Sequence, residues 1–242
     1  MQICPVCFWE DAPGERFFNG SNQVSLALGQ RNFEAFGACE ATYRNEVRSP
    51  TPQQARPAAW TSFEACHARI LEFIEAAYAD VTLDGGISMH QREALDLYCT
   101  EEQLEAAAAL DPETRWQSIA MEKIQRLGMS LVFFDPRGIR FHLPAFLCCA
   151  LRLWHMSKDG DCSDSAQLIY GLTDGPRPAE GCYAEAFSLL NPQQHQAVAA
   201  FLRFVAAVGD IPADDAKEAL RHGWDLWTPD FIQFPYNPTL EP

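Results

Sequence analysis

The sequence predicts an α+β protein, mainly α-helical. A small N-terminal cysteine module (residues 1–48) and a proline-rich linker (49–60) precede a helical domain (61–242) bearing one β-hairpin. Three observations carry this reading. Helix-capping spacings recur ahead of apolar stripes, and residues 49–57 hold three prolines without apolar periodicity. Asp135-Pro136-Arg137-Gly138 also lies between two short apolar runs, where a tight turn would join two strands.

The elements follow in chain order. Cys4-Pro5-Val6-Cys7 is a knuckle that puts two thiolates on one turn, at the spacing that holds a metal ion. Leu26, Phe33 and Phe36 fall at helical spacing, with Ser25 as N-cap and Gly37 as terminator. Thr61-Ser62-Phe63-Glu64 has capping-box spacing ahead of a stripe containing Phe63, Ile70, Ile74, Ala77 and Tyr78. Ser88-Met89-His90-Gln91 and Thr100-Glu101-Glu102-Gln103 repeat the box before two further helices. Leu131-Val132-Phe133-Phe134 and Ile139-Arg140-Phe141-His142 flank the Asp-Pro-Arg-Gly sequence, whose residues suit a type I turn and predict the β-hairpin at about 131–142. Pro144 suits the first turn of an apolar helix reaching about Met156, and Asn191-Pro192 opens another through Phe201, Phe204 and Val205. The aromatic tail at 224–236 is expected to pack back as extended chain, because its side chains would otherwise expose a large apolar patch.

Composition narrows the function classes. Apolar residues make up 48% and aromatic residues 12% of the 242, which is globular. The longest uncharged apolar run, 141–151, is interrupted by His142 and Pro144 and is too short to span a bilayer. No basic segment followed by an apolar one marks export at the N-terminus. With nine cysteines, an odd number at irregular spacings, reduced thiols of a cytoplasmic protein are expected. Residues 80–122 carry ten acidic and two basic side chains, over half of the net charge of −15 in under a fifth of the length. No Lys/Arg cluster offers a nucleic acid its phosphate contacts. An acidic patch instead draws a basic partner, or else simply solvates a helical face.

The residues Cys4-Pro5-Val6-Cys7-Phe8-Trp9-Glu10-Asp11, with Asn22-x-Val24-Ser25-Leu26 and Arg31-Asn32-Phe33-x-x-Phe36-Gly37, resemble the bacterial cysteine-rich CPCC domain family over about 1–48. That resemblance implies zinc. Family members carry an earlier Cys-Pro-Cys-Cys knuckle that this chain lacks, so only Cys4 and Cys7 carry over as candidate ligands. From about 65 to 225 the chain is similar to an uncharacterised bacterial family. Phe133-x-Asp135-Pro136-x-Gly138-x-Arg140-Phe141-x-Leu143-Pro144-Ala145-Phe146 and Asn191-Pro192-Gln193-Gln194 carry the likeness. It implies a shared fold and no chemistry. Both resemblances imply small bacterial proteins, some near toxin and immunity loci.

Among candidate sites, Cys4 and Cys7 need further ligands for zinc, from Cys39 in the same module, from Cys66 and His67 beyond the linker, or from another chain. Otherwise the half-site is a relic whose thiols pack under Phe8 and Trp9. Redox use of Cys-x-x-Cys normally follows a strand, and none is expected from the residues before Cys4. Cys148-Cys149 reads as buried in an apolar helix. His90, His142, His155, His195 and His222 show no metal-ligand spacing, and Glu101, Glu102 and Glu105 read as a solvated face rather than an acid–base pair. No phosphate loop, nucleophile elbow or His-Glu-x-x-His is present.

The expectation is a non-catalytic cytoplasmic protein that acts by protein–protein binding, as an immunity-type inhibitor of a toxin. Glu93, Asp96, Glu101, Glu102 and Glu105 would present an acidic surface to a basic one on the partner. Neither nucleic acid nor membrane is expected as a partner, and zinc is the only cofactor the residues invite. A zinc-binding scaffold and an enzyme with a dispersed site are the two rival readings.

Overall fold

The computed structural model describes residues 2–11, 22–24, 26–54, 61–156, 165–176, 182–208 and 212–232. Among them the fold is all-α, not α+β: the only strands are β1 (Gln2–Ile3) and β2 (Glu10–Asp11), a two-residue antiparallel ladder in which Gln2 faces Asp11 and Ile3 faces Glu10. α1 (Leu26–Phe36) follows and ends at Gly37, whose φ of +85° is the left-handed closure glycine permits. The expected N-cap, Ser25, lies outside the described residues. Within the proline-rich segment Pro52–Gln54 form a 3₁₀ turn, and 55–60 fall outside the described residues.

α2 (Phe63–Ala77) starts one residue later than the Thr61 box implies. Ser62 is the N-cap, its hydroxyl accepting the Ala65 amide at 3.3 Å. Its buried face is the predicted stripe Phe63, Ile70, Ile74 and Ala77, joined by Cys66 and His67. α4 (Glu101–Ala108) carries a complete capping box, Thr100 with Gln103, while at α3 (Met89–Asp96) the Gln91 side chain accepts the Ser88 amide at 3.0 Å. α5 (Met121–Leu127) closes on Gly128 at φ +79°.

The β-hairpin at 131–142 is absent, and the segment feeds α6 (Pro136–Met156) instead. Asp135 and Pro136 do not form a turn between strands. Asp135 Oδ1 accepts the Gly138 amide at 2.9 Å while Pro136 occupies the first helical position, where its missing N–H costs nothing. Leu131-Val132-Phe133-Phe134 runs buried, exposed, exposed, buried, so it lacks the strand period of two. Pro144 consequently sits inside α6 rather than at its start, where it has no N–H to give the Arg140 carbonyl. Asp135 Oδ1 also accepts the Ile87 amide at 2.7 Å, binding the 84–88 loop to the helix start. The approach is so close that a Cβ on Gly138 would lie 2.6 Å from the Ile87 carbonyl oxygen.

α6 and α9 (Pro192–Val208) form the centre, with residues 141–151 of α6 all buried. α9 begins as predicted: Asn191 Oδ1 accepts the Gln194 amide at 2.9 Å and Gln194 Oε1 accepts the Asn191 amide at 3.1 Å. α7 (Ala166–Leu172), α8 (Ala184–Ser188) and α10 (Ala213–Arg221) complete the shell around them. The tail does not run extended at its start. Trp224–Trp227 is a 3₁₀ turn whose Trp224 is fully buried, while Phe234 and Tyr236 lie outside the described residues. The N-terminal module touches α2 through a Gln30 side-chain bond to the Phe63 amide (3.2 Å) and an Arg31–Glu64 pair at 2.7 Å.

Candidate functional site

The predicted acidic residues all lie on α3 and α4, and Glu93, Asp96, Glu101, Glu102 and Glu105 are all exposed. The two helices pack against each other. What the sequence reading missed is the turn between them, where Leu97 and Tyr98 stand 75% and 96% exposed. Tyr98 holds φ at +56°, a left-handed backbone that costs a non-glycine residue about 1–2 kcal/mol. The surface therefore combines an exposed aromatic and aliphatic tip on a strained turn with exposed carboxylates on the two helices that the turn joins. A large apolar side chain held in water at an energetic cost is a stronger mark of binding than the charge alone.

A buried charge network fixes this helix pair at its base. His90, near the start of α3, gives its backbone amide to Asp111 Oδ2 (2.8 Å), and its Nδ1 meets Oδ1 at 2.7 Å. Asp111 lies three residues beyond α4, so these bonds tie the two ends of the pair together. Lys123 Nζ from α5 reaches Asp111 at 2.5 Å and Glu113 at 2.8 Å, and Arg126 donates to His90 Nε2 at 3.1 Å. Since Nε2 accepts there, Nδ1 carries the proton and donates it to Asp111. Burial alone would raise the Asp111 carboxyl, but Lys123 and the amide and ring of His90 outweigh it and hold it down at about 2. His142 and Phe141 border the same narrow cleft with Leu83, Met89, Ile119 and the charged trio Asp111, Glu113 and Lys123. Histidine spacing gave no sign of this cluster, because His90 meets Asp111, 21 residues away, only in the fold.

Asp111→Asn should cost about 2–3 kcal/mol at neutral pH, since it leaves Lys123 and His90 facing an uncharged partner in a largely buried site. The depressed carboxyl contributes stability above its unfolded value of 3.8, and that stability is lost as pH falls towards 2. Urea unfolding at pH 7 and between pH 4 and 2 should show the loss at neutrality and a flatter acid limb in the variant.

The second candidate is the cysteine module. The Cys4 amide donates to Trp9 O at 2.7 Å and the Phe8 amide to Cys4 O at 2.8 Å, closing the knuckle as the loop of the β1–β2 ladder. The expectation that no strand precedes Cys4 is thus overturned by β1. The Cys39 amide donates to Cys7 O at 2.7 Å, bringing the third thiol under the knuckle. Trp9 lies over Gly29 of α1, where a Cβ would sit 3.0 Å from its ring, and Phe8 stacks on Tyr43 at 4.1 Å. Burial raises Cys4, but the amides of Val6 and Cys7, the Cys7 thiol and Arg48 outweigh it, and its pKa is lowered. Burial pushes Cys7 and Cys39 each up to about 11.

Cys66 and His67 do not join this cluster. Both are buried in the helical core, where His67 Nε2 meets Leu151 O at 3.0 Å and its ring lies 5.6 Å from that of Trp154. Among the described residues no group of three or more His, Cys, Asp or Glu side chains is arranged to hold a metal ion. Cys148 and Cys149 are buried in α6, and every described cysteine is a free thiol. No helix among the described residues is long and apolar enough to cross a membrane.

Comparison with known proteins agrees with the two-part layout. Residues 67–230 match the model of a family of unknown function (DUF6714), and residues 1–54 match that of the cysteine-rich CPCC domain. No curated protein and no solved structure matches the chain.

Proposed function

The chain belongs to that family of unknown function (DUF6714), and from this premise we propose that it is a non-catalytic protein-binding chain whose α3–α4 surface receives a basic partner. In its specific form the proposal is an immunity-type inhibitor, cytoplasmic and directed at a basic toxin. The division into a 1–48 module, a 49–60 linker and a 61–242 domain is part of the same reading. What supports it is the exposed Leu97–Tyr98 turn between two helices that carry the exposed Glu93, Asp96, Glu101, Glu102 and Glu105. Interfaces gather their energy in a few aromatic anchors, while surrounding charges steer and orient the encounter.

The test takes a basic toxin encoded beside the gene for this chain and measures binding by calorimetry over a range of salt. Reversing Glu101, Glu102 and Glu105 to lysine should weaken binding about tenfold or more and reduce its salt sensitivity. Tyr98→Ala should cost about 2 kcal/mol or more. Binding unchanged by both variants removes this surface as the interface.

An enzymatic reading draws on the cleft bordered by Asp111, Glu113, Lys123 and His142. The bonds in that cleft count against it. Asp111 is engaged by His90 and Lys123, and Lys123 is shared with Glu113. The charged groups neutralise one another instead of facing an open site.

A further inference from the structure

We propose that the cleft between the start of α3 and the first half of α6 is a binding site for one internal water molecule, held by Ser88, His142 and Asp111. The site is separate from the exposed carboxylates of α3 and α4 and does not depend on what they bind.

Two buried polar side chains with open hydrogen-bonding positions line this cleft. Ser88 is 3% exposed, and its Oγ has no hydrogen-bond partner. His142 is 2% exposed, and its Nδ1 donates to the Gly138 carbonyl at 2.7 Å, which makes Nε2 an acceptor. No hydrogen bond among the described residues engages that Nε2. Both side chains border the cleft together with Asp111, Glu113 and Lys123. A buried polar atom without a partner is costly, and folded proteins relieve it with an ordered water where the space is polar and large enough. The cleft has a volume of about 10 Å³, close to the least that admits one water and too small for a larger ligand.

The charged groups fix which atoms remain for it. Lys123 Nζ is taken by Asp111 Oδ1 and by both oxygens of Glu113. Asp111 Oδ1 also meets His90 Nδ1, whereas Oδ2 receives the His90 amide at 2.8 Å and keeps a second lone pair. A water placed among these groups accepts the Ser88 proton and donates to His142 Nε2 and Asp111 Oδ2. That makes three hydrogen bonds, the usual number for an internal water. Because Lys123 already serves both carboxylates, the site calls for no second cation. The bridge joins the core helix α6 to Ser88, the N-cap of α3, and so helps to seat the α3–α4 pair.

The test is ¹⁷O magnetic relaxation dispersion on the full chain, which counts waters held while the protein tumbles. His142→Phe keeps the ring volume but has no Nε2, and the folded variant is expected to hold one such water fewer. In urea, the Ser88→Ala/His142→Phe chain is expected to lose less stability than the two single losses added together, since either substitution alone breaks the bridge. An unchanged water count in folded His142→Phe, or strictly additive losses, overturns the site. Should His142→Phe not fold, a crystal structure of the unsubstituted chain decides. A water within hydrogen-bond distance of Ser88 Oγ, His142 Nε2 and Asp111 Oδ2 upholds the site, and side chains closed directly on one another there remove it.

Discussion

Trp224→Ala is expected to destabilise the protein by about 3–5 kcal/mol, the range for losing a large buried aromatic side chain. Trp224 is fully buried and meets Phe187 of α8 edge-on, with ring centroids 5.1 Å apart. Its indole N–H donates to the Leu172 carbonyl at the end of α7, 2.9 Å away. One side chain therefore joins the 3₁₀ turn after α10 to two other helices. Truncation opens a cavity and strands a buried carbonyl together. Trp224→Phe separates these effects, since it restores most of the volume without the donor and should cost only about 1–3 kcal/mol. Chemical denaturation of the three proteins, with the slope of the transition checked for constancy, measures both terms.

The second large effect is on acid stability and centres on His142. Burial lowers its pKa from 6.5 to about 4, against the opposing pull of the Gly138 carbonyl, which accepts from Nδ1 at 2.7 Å. Phe134 stacks on the ring at 4.6 Å, so no water layer lies on that face. A histidine whose folded pKa is depressed binds fewer protons folded than unfolded. Its contribution is fully present above 6.5 and is lost as pH falls through about 4. The shift corresponds to about 3 kcal/mol. His142→Leu should therefore flatten the stability profile between pH 6.5 and 4, whatever it does to the absolute value at pH 7. Residual sensitivity should remain from His195, whose pKa burial also lowers. Denaturation midpoints at half-unit pH intervals decide the matter, and an unchanged slope in the variant would falsify the assignment.

These two residues also show where the sequence was readable. The helix starts at Ser88, Thr100 and Asn191 were legible because a capping box is a local interaction spanning four residues. The end of α1 at Gly37 was legible for the same reason. The 131–142 segment misled because Asp-Pro-x-Gly serves two local structures equally well. An aspartate followed by proline can open a type I turn or cap a helix with proline at its first position, and the choice here is made by Ile87, whose amide shares Asp135 Oδ1. That partner is 48 residues away. His142, on the expected hairpin, became a core residue of α6 through the same choice. The charge network was unreadable for a related reason. Nothing local distinguishes His90, Asp111 and Lys123 from surface residues until α5 is laid beside the α3–α4 pair. The acidic surface, by contrast, needed only composition and helix period, while its apolar tip depended on a backbone angle that no pattern encodes.

The α3–α4 pair is anchored far more by charge than by burial. Met89 is the one buried residue of α3 and Ala107 the one buried residue of α4, whereas α6 buries eleven consecutive residues. The protein therefore consists of two cooperative units of unequal depth. Backbone amides of α6 and α9 are expected to exchange with solvent only on global unfolding, and those of α3 and α4 through a shallower opening set by Asp111 and its partners, which native-state hydrogen exchange would measure. On that expectation the acidic surface opens and re-forms while the rest of the chain stays folded.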